Sequence, residues 1–228
     1  MTSIKTFENS GNPNDITHTS LKQQMGILKT WDYHCDTNSI ATTLAVSWAE
    51  RILPAISRTK ITDNDKADIV EKTKQFAALA SPDDLLLPFL ATINELINKF
   101  GHWQIPWGEL NRFQRISGDI SLKYNDDLPS IAIGFTSSLW GMLPSYSSNY
   151  FPGTKKRYGV NGNSFICVVE FGKKIKARSL LCGGESGDPN SKHFTDQALM
   201  YSKGQFKDVL FYKEDVLQHV EKTYHPGQ

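Results

Sequence analysis

The sequence lacks the patterns that usually mark a metal centre, a membrane span or a nucleic-acid surface. Its six histidines and three cysteines show neither H-x-x-x-H nor C-x-x-C spacing, so the sequence predicts no metal site. No apolar run approaches the roughly 18 residues of a membrane-spanning helix. The net charge of +1 gives no electrostatic reason to expect nucleic acid or an anionic membrane as a partner. The glycines also form neither a P-loop nor a dinucleotide-binding loop.

The cysteines are few and far apart. Cys167 and Cys182 lie on two strands that the sequence predicts to be neighbours, so a disulfide between them stays open, while Cys35 has no evident partner. The favoured interpretation is that the cysteines are small buried hydrophobic side chains. His34 and Asp36 flank Cys35 and can be read as ligands, but a polar turn between two helices fits the pattern better.

The chain begins with a polar stretch. Residues 1–10 contain one lysine and no apolar core, which is not the pattern of a secretory signal, and the cellular location stays open. Residues 1–19 are predicted to form a flexible lead-in. Removal of Met1 would expose Thr2, and an N-terminal threonine can use its own amine as a base. Nothing around Thr2 resembles a site, so this hypothesis is not favoured.

Residues 20–101 are predicted to form a helical block. Ser81 and Pro82 provide a helix start signal, and Gly101 provides the matching stop. Pro54 is expected to close the second helix of the block. Apolar residues at helical spacing define the predicted helices: Leu21, Met25 and Leu28; then Ile40, Leu44, Trp48 and Ile52; a weaker candidate at 62–79; and Leu86, Leu90, Ile93 and Leu96.

Residues 102–228 are predicted to be rich in strands and to end in short helices. Residues 165–169 are β-branched and aromatic and predict a buried strand, which a turn at Gly172 connects to a half-exposed strand at 174–181. The sequence further predicts a loop at 146–158, a helix at 198–203, a strand at 206–211, and a last helix at 214–224 with Val216 and Val220 on its inner face.

The densest concentration of chemically useful residues is the segment 183–197, which we call the glycine loop. Ser186 stands in a sequence close to G-x-S-x-G, but Asp188 replaces the second glycine. A triad of Ser186, His193 and Asp196 can be drawn, yet all three would come from one loop, whereas triads usually draw on several elements. We therefore expect His193 and Asp196 to bond to the backbone and hold the loop closed.

A second cluster follows Trp107 and contains Glu109, Asn111, Arg112 and Arg115. Arginine can hold a carboxylate and asparagine can donate to an oxyanion, which would be a catalytic role. The favoured interpretation is structural: a buried or half-buried ion pair that ties this strand to the other layers of the fold.

These segments resemble the penicillin acylase family of N-terminal-nucleophile (Ntn) hydrolases, and most closely its acyl-homoserine-lactone acylase branch. The order and spacing of the motifs are similar to the last part of that family's β subunit. The resemblance covers about 21–227, and its carrying stretches are Trp31-Asp32, Ser39-Ile40-Ala41, Trp48, 105–112, Gly162-Asn163-Ser164-Phe165, Val168-Val169-Glu170, 183–189, Ser191, His193-Phe194, Asp196-Gln197 and 207–226.

The resemblance implies a mixed α/β chain of the α+β type, the C-terminal portion of a four-layer αββα Ntn-hydrolase fold. It implies an enzyme that hydrolyses an acylated amine, with a serine at the start of the β subunit as nucleophile and no cofactor. That serine has no counterpart here, so no catalytic residue is transferred. The implied partners are an α subunit and the N-terminal part of the β subunit, and an exported precursor would place the enzyme in the periplasm or outside the cell.

The motif residues are accordingly expected to be structural rather than catalytic. The hypothesis from a different class is a stand-alone binding or structural remnant of such an acylase. In either case, strands that lack their neighbours would leave bare edges and favour association. The structural motif comprises Trp107, Glu109, Asn111, Arg112, Gly184, Ser186, Asp188, His193, Asp196 and Gln197.

Overall fold

Four helices lie in the described part of the first half of the chain, where the periodicity predicts helices. The computed structural model describes residues 16–60, 68–119, 123–225 and 227. Most of the predicted lead-in and the predicted start of the third helix near Thr62 lie outside these ranges. The helices are α1 (Ile16–Lys29), α2 (Ile40–Arg58), α3 (Ile69–Leu79) and α4 (Pro82–Phe100).

The signals at the ends of α4 act as predicted. The Ser81 hydroxyl accepts a hydrogen bond from the Asp84 amide, and the Asp84 carboxylate accepts one from the Ser81 amide, which together make a capping box. Gly101 ends the helix in the left-handed conformation at φ 84°, where glycine carries no steric cost. The start and the end of this helix are therefore confirmed.

Pro54 does not close α2, which corrects the prediction. The helix continues to Arg58, and Ile56, beyond the proline, is only 2% exposed. A proline inside a helix removes one backbone hydrogen bond. Burial of the last turn against the core offsets that loss, so tertiary packing overrides the local signal.

The helical core extends into the segment that follows Gly101. A short helix α5 (Trp107–Leu110) places Trp107 and Leu110, at 1% and 0% exposure, against the apolar faces of α2 and α4. Among the described residues no single helix is long and apolar enough to cross a membrane, although α3 and α4 together, bent by 110°, meet that test by length and composition.

The first sheet has four strands in the order β2-β1-β4-β3. Strand β1 pairs antiparallel with β2 and parallel with β4, and β3 and β4 form an antiparallel hairpin. The loop predicted at 146–158 is therefore wrong, since its two ends are strands. Serines and asparagines obscured the alternation, but Tyr146, Ser148 and Tyr158 point inward and are buried. The strands are β1 (Asn111–Phe113), β2 (Ile131–Ala132), β3 (Tyr146–Tyr150) and β4 (Arg157–Gly162).

The second sheet has three strands in the order β5-β6-β7. Strands β5 (Phe165–Glu170) and β6 (Lys176–Leu181) form the predicted hairpin, and β7 (Lys207–Val209) pairs with β6. Two short helices, α6 (Ala198–Ser202) and α7 (Lys213–Leu217), complete the described structure. The chain is thus α+β, with helices followed by mainly antiparallel sheets, as predicted.

Strand β5 is exposed, although the sequence predicts a buried strand. Phe165 and Val168, whose side chains alternate to opposite faces of the sheet, are 57% and 58% exposed, and β5 is an edge strand. The last helix is also shorter than predicted, and its supposed inner residues Val216 and Val220 are 43% and 47% exposed. For both segments the apolar composition predicted burial, and the structure shows these side chains exposed.

An ion pair between a buried arginine and a partly exposed glutamate joins the first sheet to the helices. Arg157 of β4 donates through both terminal nitrogens to the two carboxylate oxygens of Glu50 on α2, each at 2.7 Å, and it also donates to the Ser148 carbonyl at 2.6 Å. The Arg157 side chain is 6% exposed. Such a bidentate pair fixes both distance and orientation, so it sets how the sheet sits on α2.

Replacement of Arg157 tests this junction. We expect Arg157→Met to lower the free energy of unfolding by about 2 kcal/mol, because the buried Ser148 carbonyl and the partly exposed Glu50 lose their charged donor. The matched control is Arg178→Met, since Arg178 forms an exposed pair with Asp208, and its effect should stay within about 0.5 kcal/mol. Urea unfolding curves measure both, and equal effects would contradict the proposed junction.

Candidate functional site

The two motif clusters meet through Arg115. Its terminal nitrogens donate to the carbonyls of Phe194 at 2.6 Å and Ser186 at 2.9 Å. Its guanidinium carbon also lies 4.1 Å from the centre of the Phe194 ring, which is cation–π range. One side chain that follows β1 therefore holds both sides of the glycine loop.

Backbone contacts bring the two sides of the loop close together. The Ser186 amide donates to the His193 carbonyl at 3.1 Å, and the Gln197 amide donates to the Gly183 carbonyl at 2.9 Å. A Cβ at Gly184 would lie 2.1 Å from the His193 carbonyl oxygen. Only glycine fits at that distance, so the backbone approach depends on it.

His193 and Asp196 bond to each other, not to the backbone as predicted. The Nδ1 of His193 lies 2.7 Å from Oδ2 of Asp196. The two residues are three positions apart in a folded loop, and this places their side chains within hydrogen-bond distance of each other. The loop is closed instead by its own amides and by Arg115.

Ser186 does not complete a triad with this pair. Its hydroxyl accepts a hydrogen bond from the Asp188 amide at 3.1 Å, which is a local serine turn. Within this fully described loop the structure shows no hydrogen bond between the Ser186 hydroxyl and the His193 ring. Asp188 also bonds within the loop: its carboxylate accepts a hydrogen bond from the Asn190 amide at 2.9 Å.

Gln197 and Glu185 connect the loop to the second sheet. The Gln197 side chain accepts from the Leu181 amide at 3.1 Å and donates to Glu185 at 3.0 Å. Glu185 also pairs with Lys207 of β7. The hydrogen bonds from Lys207 and Gln197 lower the pKa of the Glu185 carboxyl, so it is ionised at neutral pH.

Asn111 and Arg112 bond mainly to backbone carbonyls, and among the described residues the structure shows no ion pair of Arg112 with a carboxylate. Asn111 is fully buried; its amide donates to the carbonyls of Ile133 and Phe135 at 2.8 and 3.0 Å. Arg112 donates to the carbonyl of Gly108 and to Ser130, and burial lowers its pKa.

The remaining motif residues, Glu109 and Trp107, have different roles. Glu109 is exposed. Arg112 bonds to backbone carbonyls, where the sequence predicted an ion pair with a carboxylate. The Trp107 indole is buried and donates to the Phe135 carbonyl at 3.3 Å.

All three cysteines are free. The bridge left open between Cys167 and Cys182 does not form, because Cys167 stands opposite Ser179 in the β5–β6 ladder. Cys167 is exposed, contrary to the favoured expectation of burial, since it lies on the uncovered strand. Cys182 is half-buried, and burial raises the pKa of its thiol to about 12. Across the described ranges the structure shows no group of three side chains able to hold a metal ion.

A cavity that sequence reasoning missed lies next to the glycine loop, between the two sheets. Its volume is about 290 Å³, and its walls include Phe113, Tyr146, Cys182 and Tyr201. Residues 159–164 form its rim. The signal in the sequence was weak, because these walls come from four separate elements that only the fold brings together.

The chain is an α+β scaffold in which polar side chains brace a glycine-rich loop. The sequence also matches the family model described as penicillin amidase over residues 4–218. The chain therefore belongs to the penicillin amidase family, an acylase family of amidohydrolases. The resemblance seen in the sequence is confirmed at the level of the family.

The role of Arg115 can be tested by removing its fork geometry while keeping its charge. We expect Arg115→Lys to lower the free energy of unfolding by about 2 kcal/mol, because an ammonium cannot bond both carbonyls in the same plane. Hydrogen exchange at the Ser186 and Gln197 amides should accelerate. Arg178→Lys, at an exposed pair, is the control, and unchanged exchange in Arg115→Lys would contradict the bracing role.

The cysteines should differ in reactivity. A pKa raised from 9.0 to about 12 lowers the thiolate fraction of Cys182 about 1000-fold, and the higher nucleophilicity of the more basic thiolate offsets part of this. We expect alkylation of Cys182 by iodoacetamide at pH 8 to be slower than that of an ordinary thiol by tens of fold. Peptide mapping should show exposed Cys167 labelled first; labelling of Cys182 first would contradict the assignment.

Proposed function

We propose that this chain is the C-terminal portion of the β subunit of an acylase that hydrolyses a linear acyl amide. In this proposal the chain supplies scaffold and part of the pocket wall, and the serine nucleophile comes from the N-terminal part of the β subunit. The substrate is an N-acyl-homoserine lactone or a penicillin-like amide. The order and spacing of the motifs, which resemble the end of that subunit, support this assignment.

The bonding of Ser186 is the observation that carries the proposal. A nucleophilic serine needs a base within hydrogen-bond reach, about 2.6–3.2 Å. The Ser186 hydroxyl is engaged by the Asp188 amide, and His193 is engaged by Asp196. The most serine-hydrolase-like residues in the chain therefore stabilise the loop.

The exposed apolar side chains of strand β5 and its turn support the same proposal. Phe165, Val168 and Phe171 are 57%, 58% and 83% exposed, and their clustering on one hairpin is unusual for a finished surface. The layered fold that the resemblance implies would place a further layer over such a strand. The α subunit and the preceding part of the β subunit are the proposed source of that layer.

The alternative is a stand-alone remnant that binds or supports another molecule without catalysis. The motifs at 105–112 and 183–197 would then serve folding alone. The upstream reading frame separates the two hypotheses, because the acylase proposal requires an α subunit and a serine that begins the β subunit. A frame without them would favour the remnant.

Hydrolysis of a chromogenic acyl anilide tests the assigned division of labour. We expect the purified chain alone to release no more aniline than buffer, and co-expression with the upstream frame to give turnover, because only that part carries the nucleophile. Turnover by the chain alone that is lost in Ser186→Ala, but kept in the matched control Ser202→Ala, would overturn the proposal.

A further inference from the structure

Another cavity, which we call the helical cavity, lies inside the helical block between α1, α2, α3 and α4. Its volume is about 400 Å³, within the range of about 300–1,000 Å³ for ligand pockets. Among the described residues that line it, none is charged, so the space suits an apolar occupant. All four helices contribute to the wall, which includes Met25, Trp48, Ile52, Phe76 and Phe89.

The polar groups of this wall are already bonded inside the protein. The Trp48 indole donates to the Leu85 carbonyl at 2.9 Å, and the Trp31 indole donates to the His34 carbonyl at 3.0 Å. The Thr73 hydroxyl donates to a backbone carbonyl one turn earlier in α3 at 2.7 Å. Each of these groups has one proton to donate, and it is used. A charged ligand would thus lose its hydration without gaining a partner here, whereas an apolar ligand has little hydration to lose.

The helical cavity opens to solvent between the turn after α1 and the helix α3. Tyr33 of that turn and Thr73 and Ala77 of α3 line the cavity, and all three are exposed, Tyr33 by 77%. Side chains that both line the space and meet water mark its mouth. A small molecule therefore has a path from solvent to the apolar wall.

The turn at the mouth holds Tyr33 in a conformation that tyrosine rarely adopts. Its φ is 64°, in the left-handed region that is unfavourable for a residue with a large side chain. The bond from the Trp31 indole to His34 closes the turn around it, and the rings of Trp31 and Tyr33 lie 5.4 Å apart. Strain of this kind persists where the surroundings fix it, often at ligand sites. Here it presents two aromatic rings beside the mouth.

The helix α3 is packed lightly over the cavity. Thr73, Phe76 and Ala77 share one face of α3, since they are three and four positions apart, and this face lines the cavity. No residue of α3 is buried, as an unfilled space beneath the helix would leave it. A ligand in that space would remove the Phe76 ring from water, and burial of apolar surface favours binding.

We propose that the helical cavity binds one neutral apolar molecule of about two to three rings. A cavity of about 150 Å³ with an aliphatic and aromatic wall holds one benzene, so a volume of about 400 Å³ suits a molecule two to three times larger. The rings pack against Trp48 and Phe89 inside and against Trp31 at the mouth. The described wall lies within residues 25–89, so binding does not depend on the proposed acylase activity.

N-phenyl-1-naphthylamine and 8-anilinonaphthalene-1-sulfonate are matched probes, because they share three rings and differ by one sulfonate. We expect saturable 1:1 binding of the neutral probe by fluorescence titration and at least about tenfold weaker binding of the sulfonate, since the described wall offers it no cation. In NMR spectra of methionine methyl groups, the neutral probe should shift the Met25 signal. It should leave the signal of Met200 unchanged, because Met200 packs in the other apolar cluster, with Leu180 and Tyr201.

Two variants test the location. Ala45→Phe fills the cavity from α2 and should abolish binding of the neutral probe while the melting temperature stays the same or rises. Ala77→Trp places a ring at the exposed mouth, leaves the core untouched, and should weaken binding at least about tenfold. Val168→Ser, at an exposed apolar position of β5, is the control and should leave binding unchanged.

Absence of saturable binding of the neutral probe to the chain would overturn the proposal, and so would a Met25 signal that stays in place when the probe is bound. Equal affinity for the sulfonate would contradict the neutral class of ligand. Binding that is lost in Val168→Ser and kept in Ala45→Phe and Ala77→Trp would place the probe on strand β5 and not in the helical cavity.

Discussion

The glycine loop keeps its shape because a single guanidinium, that of Arg115, is shared between two backbone carbonyls on its opposite sides. In the described part of the chain these donors bond to backbone carbonyls and to no carboxylate, so the planar fork of the arginine fixes geometry. The close backbone approach at Gly184 and the amide contacts of the loop need this brace to persist. The orientation of Ser186, His193 and Asp196 follows from it, and so does the wall of the cavity beside Cys182.

The same principle holds the layers of the fold together. Asn111 donates to two carbonyls of the segment after β2 and accepts from the Ser148 hydroxyl of β3, which joins neighbouring strands through one fully buried amide. Arg157 joins the sheet to α2 through Glu50. Buried polar groups of this kind contribute little net stability but fix relative positions when every group is satisfied. The Nε of Arg157 is buried without a hydrogen-bond partner among the described residues, so its two terminal nitrogens provide this fixing.

Local signals in the sequence predicted the local structure well. The periodicity of Leu44 and Trp48, the cap at Ser81 and the alternation along 174–181 each depend on neighbours within a few residues, and each gave the observed element. Strand β3 was missed because its inward positions include Ser148, a polar residue whose burial depends on the distant Asn111. The acceptors of Arg112 and Arg115 were missed because they are mainly backbone carbonyls, which every residue carries and no residue type indicates. Strand β5 was predicted to be buried from its composition, which cannot say whether a covering layer belongs to the same chain.

Membership of the penicillin amidase family and the geometry of the loop support the proposal that the motifs stabilise an acylase and do not perform its chemistry. Covalent labelling of Ser186 tests that account most directly, because a serine activated by a neighbouring base reacts with sulfonyl fluorides whether or not a substrate fits. After incubation of the purified chain with phenylmethylsulfonyl fluoride, intact-mass spectrometry should show no adduct. A stoichiometric adduct that maps to Ser186, and that disappears in His193→Ala, would show a reaction centre in this loop and contradict the account.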